Sequence, residues 1–169
     1  MTGNEINLTQ MLERREKRFF QQQNFLTKYN SPLISFSMNI PGPIKTNDLI
    51  LNAFLFGKKI LLSELKNIHA EINDSLEIHE NTGDELLLSI KNINPEILKN
   101  LAVKIENDYP VGRLFDIDVI DSEGRKLSRE NFRKCLICEK QAQDCARSRT
   151  HSIKEMQDAV ENLCKIERL

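Results

Sequence analysis

The sequence predicts an α+β fold in which a four-stranded antiparallel sheet carries helices on one face. Three observations predict it. "LISFSMNI" (33–40) alternates strictly, with Ile34, Phe36, Met38 and Ile40 on one side and Ser35, Ser37 and Asn39 on the other, the period-2 pattern of a half-buried strand. Apolar residues then recur at helical spacing through Ile50, Phe54, Leu61, Leu65 and Ile68. Two short strand-like runs, 72–79 and 85–91, are separated by "NTGD", whose Gly83 suits a hairpin turn.

Taken in order, residues 8–29 read as a lead helix, with Leu8, Met11, Leu12, Phe19 and Phe20 near helical spacing, the charges "ERREKR" between them, and "NSP" as the stop. The first strand follows and ends at "PGP" (41–43). "TND" (46–48) supplies N-cap chemistry for the long helix. After the hairpin, Asn94 and Pro95 form an N-cap and N1 pair opening a helix to about Asn107. "VGRLFDIDVID" (111–121) is the last strand. The order β-α-β-β-α-β is the ferredoxin-like split βαβ pattern, here with an N-terminal helix (1–31), the core (32–122) and a helical extension (123–169) in one compact domain. A mixed parallel and antiparallel sheet could reuse the same strands.

In the split pattern the first and last strands are antiparallel neighbours, so "PGPIK", the "NTGD" turn and "PVGR" meet at one end of the sheet. Alternation also assigns faces. Phe115, Ile117 and Val119 join Ile34, Phe36, Met38, Leu86, Leu88 and Ile90 under the helices, leaving Ser35, Ser37, Asn39, Ser89, Asp116 and Asp118 on a face expected to be free.

Composition bounds the function. At 169 residues the chain is one ordinary domain, able to bury a substantial core unaided. Its 24 Lys and Arg balance 25 Asp and Glu, giving no global pull toward nucleic acid or an anionic membrane. No apolar run is long enough to span a bilayer and the N-terminus lacks a secretory pattern, so a cytoplasmic setting is expected.

The aspartates stand out because this residue is a poor strand former and two of them sit on adjacent rungs of one face. Side chains two apart project the same way, so Asp116 and Asp118 can share a hard cation such as Mg²⁺, with phosphates completing its coordination. Such a pair serves phosphoryl and nucleotidyl transfer. The plainer reading is an ordinary solvated face.

The extension is locally basic. From Arg125 to Lys154 there are nine Lys or Arg and three acids, a block suited to several phosphates or an acidic protein partner, or else a solvated helical surface. Within it Cys135, Cys138, Cys145 and His151 give C-x2-C-x6-C-x5-H, the spacing of a compact structural zinc clamp. If instead the thiols pack as small apolar groups, His151 is left as a general base. Ser152 and Glu155 form a capping box for a last helix whose apolar stripe is Ile153, Met156, Val160 and Leu163.

At "PGPIK" (41–45), "GRLFDIDVID" (112–121) and "CLICEKQAQDCARSRTHS" (135–152) the chain resembles the holo-acyl-carrier-protein synthases of citrate lyase, the apo-citrate lyase phosphoribosyl-dephospho-CoA transferases. The motifs come in the same order and the match covers nearly the whole chain. The resemblance implies a nucleotidyltransferase that moves 2′-(5″-triphosphoribosyl)-3′-dephospho-CoA onto a serine of the apo acyl carrier subunit, forming a phosphodiester and releasing diphosphate. Mg²⁺ on Asp116 and Asp118, read above from the strand, fits that chemistry by holding the triphosphate. Chemistry then nominates Lys45, Arg113, Arg147 and Arg149 for the phosphates, Gly42 and Gly112 for close backbone approach, and Ser37 and Asn39 as the polar rungs beside the aspartates. A second reading is a non-catalytic adaptor that binds an acidic carrier protein through its basic tail.

Overall fold

The computed structural model describes residues 1–129 and 131–166. Its elements are α1 (Leu8–Tyr29), β1 (Leu33–Met38), α2 (Asp48–Asn67), β2 (Glu71–Glu80), β3 (Gly83–Lys91), α3 (Pro95–Asp108), β4 (Phe115–Ile120), α4 (Ala142–Ser148) and α5 (Ile153–Ile166). The sheet runs β2-β3-β1-β4 with every neighbouring pair antiparallel, which is the ferredoxin-like order. The caps predicted from sequence form: the Asn47 side chain accepts from Ile50 N–H at 3.0 Å, Asn94 from Glu96 N–H at 2.9 Å, and Ser152 Oγ from Glu155 N–H at 3.2 Å. Gly83, at φ +122°, turns the β2–β3 hairpin, a conformation that costs glycine nothing.

The main core lies between the sheet and α2, α3 and α5. Phe36 and Phe54 stack at 4.9 Å, Phe115 meets Phe36 edge-on at 5.3 Å, and Val160 and Cys164 of α5 close the cluster. Burial pushes the Cys164 thiol up to about 11, so it packs as a small apolar group.

Two expectations need correction. The last strand begins at Phe115, because Pro110–Leu114 forms a 3-10 turn. Pro110 opens that turn, and Gly112 lies so close to α3 that an added Cβ would stand 2.7 Å from the Ile105 carbonyl oxygen and 2.8 Å from that of Glu106. The second sheet face is also not free. Helix α1 lies across it and buries Ser35, while Leu26 joins Leu33, Leu87 and Ile120 in a small second core.

Helix α1 docks by polar residues. Arg14, Arg18, Gln22 and Leu26, spaced by four, turn toward the sheet, whereas Leu8, Leu12, Phe19 and Phe20 stay exposed. The reason is the surface it meets: β3 presents Glu85 and β1 presents Ser35. Arg14 Nε donates to Glu85 Oε1 at 3.0 Å, the Nη2 groups of Arg14 and Arg18 both donate to the same carboxylate, and Gln22 donates to Ser35 Oγ at 3.1 Å. A buried carboxylate is tolerated only with such partners.

Candidate functional site

The first and last strands set the site. In the β1–β4 register Ser37 faces Asp116 and Ser35 faces Asp118, so the two carboxylates occupy consecutive rungs of one face. Asp116 is 43% exposed and Asp118 25%, leaving both reachable beside α1. Each has a cationic neighbour: Lys126 Nζ lies 2.5 Å from Asp118 Oδ2, and Arg133 Nη2 lies 3.9 Å from Asp116 Oδ1.

A cleft of about 140 Å³ opens at the Asp116 end. Ser37, Asn39 and Lys45 line it from the β1 side, and Arg15 and Arg18 line it from α1. The Lys45 ammonium donates to the Ile40 carbonyl at 2.6 Å, which aims the chain. Burial, with the nearby charge of Arg15, holds its pKa below the usual lysine value. Three cations and two small polar side chains thus line a space that also holds three carboxylates, Asp84, Glu85 and Asp116, with Arg18 paired to Glu85; Arg15 and Lys45 are left to meet a phosphate chain and Asp116 a metal. Arg15 and Arg18 were missed in the sequence, where "ERREKR" reads as solvated charge. The four-residue spacing of Arg14, Arg18 and Gln22 was the signal that could have found the docking face.

The other expected phosphate ligands lie elsewhere. Gly42, at φ +86°, packs against Ile153 and Gln157 of α5. Arg113 donates to the carbonyls of Lys134, at 3.3 Å, and Cys135, at 2.5 Å, tying the cysteine loop to the 3-10 turn. Arg147 and Arg149 are exposed on and just after α4, Arg149 as its left-handed cap at φ +48°. Lys45, Ser37, Asn39 and Asp116 are therefore brought together, and Gly42, Gly112, Arg113, Arg147 and Arg149 are not part of that cleft.

Cys135, Cys138, Cys145 and His151 do come together, their ligand atoms all within 4.8 Å of one another. Cys138 Sγ lies 3.5 Å from Cys145 Sγ and 3.3 Å from His151 Nε2. The Cys135 thiol is held below its ordinary pKa: burial pushes it up, but the Ile137 and Cys138 N–H groups outweigh that. Cys145 is pushed up to about 11 by burial and its fellow thiols. Three thiols and an imidazole at this separation can hold a metal ion. His151 thus sits in the cluster, among the thiols.

Glu106, on α3, was also illegible from sequence. Buried beside β4, it accepts from Ile117 N–H at 2.8 Å and from Arg129 Nη2 at 2.6 Å, and it pairs with Arg133. Burial lifts its pKa, opposed by Arg133 and the Ile117 N–H. This carboxylate pins the start of the extension to the β4 edge of the sheet.

Fold and cleft together define an α+β protein with paired carboxylates on one sheet face, one of them in a small cleft lined by charged side chains. Comparison with known proteins gives the family. The chain belongs to the apo-citrate lyase phosphoribosyl-dephospho-CoA transferase family, whose sequence pattern matches residues 6–166. It is 34% identical over 159 residues to the apo-citrate lyase phosphoribosyl-dephospho-CoA transferase of Citrobacter koseri, covering 92% of this chain and 86% of that protein. Proteins named probable apo-citrate lyase phosphoribosyl-dephospho-CoA transferase are 36% identical in Vibrio cholerae, over 94% of this chain and 91% of theirs, and 39% identical in Streptococcus pyogenes, over 96% and 87%. Among the described residues no helix is long and apolar enough to cross a membrane.

Proposed function

We propose that this chain transfers the phosphoribosyl-dephospho-CoA group to the apo acyl carrier subunit of citrate lyase, with the triphosphoribosyl form as donor. Family membership supports the reaction class. The observation that carries the site is the cleft in which Arg15, Arg18 and Lys45 surround the space beside Asp116. In the proposed reaction a seryl oxygen of the carrier bonds to the α-phosphorus, the bond from that phosphorus to the bridging oxygen of the β-phosphate breaks, diphosphate leaves, and the seryl proton is lost to the medium.

Asp116 and Asp118 would hold Mg²⁺, which supplies charge neutralisation for the leaving diphosphate. The fit is chemical: two partly exposed oxygen donors on adjacent rungs. Lys45, Arg15 and Arg18 bind the β- and γ-phosphates and fix the donor in line; Ser37 and Asn39 orient its oxygens. Lys126 and Arg133 balance the aspartate charge when no metal is bound. Cys135, Cys138, Cys145 and His151 would hold Zn²⁺ as a structural clamp, and Arg113 carries that order to the turn preceding Asp116. Thiols of this kind suit a reducing cytoplasm.

Incubating the chain with apo carrier subunit, donor and Mg²⁺ tests the proposal by intact mass. A gain on the carrier equal to the phosphoribosyl-dephospho-CoA group is expected. An unmodified carrier would leave the adaptor role in its place.

A further inference from the structure

Around the edge of β4 from the aspartates, a second cleft of about 410 Å³ runs between α3 and residues 128–129 and 131–134. Its volume is that of a small-molecule site. Lys99, Arg113, Arg129, Arg133 and Lys134 line it against Glu96 and Glu106. Part of this charge is structural, since Arg129 and Arg133 hold Glu106. Two guanidiniums on one carboxylate leave an excess, however, and Arg129 Nε is buried with no partner among the described residues.

Lys99 has no such explanation. It is only 6% exposed, lines the cleft, and makes no hydrogen bond or ion pair among the described residues. Burial pushes its pKa down, and the carboxylates of Glu106 and Asp118 pull it back up. A largely buried lysine lining an open cleft, beside the buried and unpartnered Arg129 Nε, gains from an anion bound there. At the rim, Phe132 is 78% exposed, and the amides of Asn100 and Asn131 stand in the same lining. An aromatic face with amides beside it suits a purine. The two clefts are neighbours: Arg133 lines the second and lies 3.9 Å from Asp116, which lines the first.

We infer that this second cleft binds the adenosine diphosphate portion of the donor's dephospho-CoA half, with Lys99 and Arg129 on the diphosphate and Phe132 under the adenine. The inference rests on the reaction proposed above and assigns it a second, non-reacting anion site. Binding energy gathered there would hold the reacting phosphates over the aspartates.

The test is calorimetric titration of the full chain with two probes, dephospho-CoA and inorganic tripolyphosphate. Lys99→Gln and Phe132→Ala should each weaken dephospho-CoA about tenfold while leaving tripolyphosphate within about twofold. Lys45→Ala should do the reverse. Phe132 is exposed, so Phe132→Ala decides the matter if the buried Lys99→Gln variant fails to fold. Undiminished dephospho-CoA affinity in Phe132→Ala, or direct competition of the two probes for one site, would overturn the assignment. Failure of the proposed reaction is seen separately, as an unmodified carrier with wild-type chain, because the cleft is read by binding alone.

Discussion

Gly57 sits within α2, where helix propensity alone favours alanine by about 1 kcal/mol. Its surroundings reverse the sign. A Cβ there would lie 2.7 Å from Phe115 Cζ and 2.8 Å from Phe36 Cζ, so both rings would have to retreat by roughly 0.7 Å to reach ordinary contact. Neither is free to do so, because Phe36 is stacked on Phe54 and crossed by Phe115, and all three are fully buried. Overpacking of this kind costs about 1 to 3 kcal/mol. Two clashes put Gly57→Ala at the upper end, for a net loss of about 2 kcal/mol once the propensity gain is deducted. In a chain of this length that lowers the melting temperature by about 4 to 8 °C, read by circular dichroism, with the urea midpoint as a check. Phe115 also immediately precedes Asp116, so transfer to the carrier should fall along with stability. A variant that melts at or above wild type would refute the claim that these rings are locked.

Asp116→Asn and Asp118→Asn should each abolish transfer while melting within about 2 °C of wild type, since both side chains are partly exposed; full turnover in both would remove the carboxylates from the reaction. Arg15→Ala should weaken tripolyphosphate by tenfold or more while leaving dephospho-CoA alone, as expected for loss of a charge-assisted contact. Because burial and Arg15 lower the Lys45 pKa, its ammonium is lost below the ordinary lysine value of 10.5, and tripolyphosphate affinity should decline as pH rises through that lowered pKa. Lys45→Arg should push the decline to higher pH, and a flat profile up to 10.5 would show that Lys45 carries no phosphate. Chain purified without chelator should contain about one equivalent of zinc, and Cys138→Ser should lose most of it; an equal metal content in the two proteins would argue against the clamp.

The sheet was legible because β1 and β4 alternate without interruption, and period-2 patterns survive any packing partner. The helix starts were legible because Asn47, Asn94 and Ser152 satisfy their own local N–H groups. What escaped were features decided by distant residues. Gly112 forms a 3-10 turn because α3 lies against it, which nothing in "PVGRL" announces. Helix α1 presents arginines to the sheet because Glu85 waits there, so the spacing of Leu8, Leu12 and Phe19 gave the helix but not its docking face. For the site, Asp116, Ser37 and Asn39 followed from strand alternation and Lys45 from the loop after β1, and they came together, whereas Arg15, Arg18, Lys99 and Glu106 arrived from helices whose rotation the sequence did not fix. The cysteine–histidine cluster needed only spacing, since all four members fall within one short segment.

The attachment of α1 has a consequence in time. Its key ion pair joins Arg14 to Glu85 across 71 residues, a long loop to close before any reward is gained. During synthesis the helix leaves the ribosome first, yet it has no docking surface until β3 has emerged and paired with β1. The cationic cleft is therefore assembled late, after the sheet exists, and a chain truncated before Glu85 would carry both cleft arginines without a site to complete.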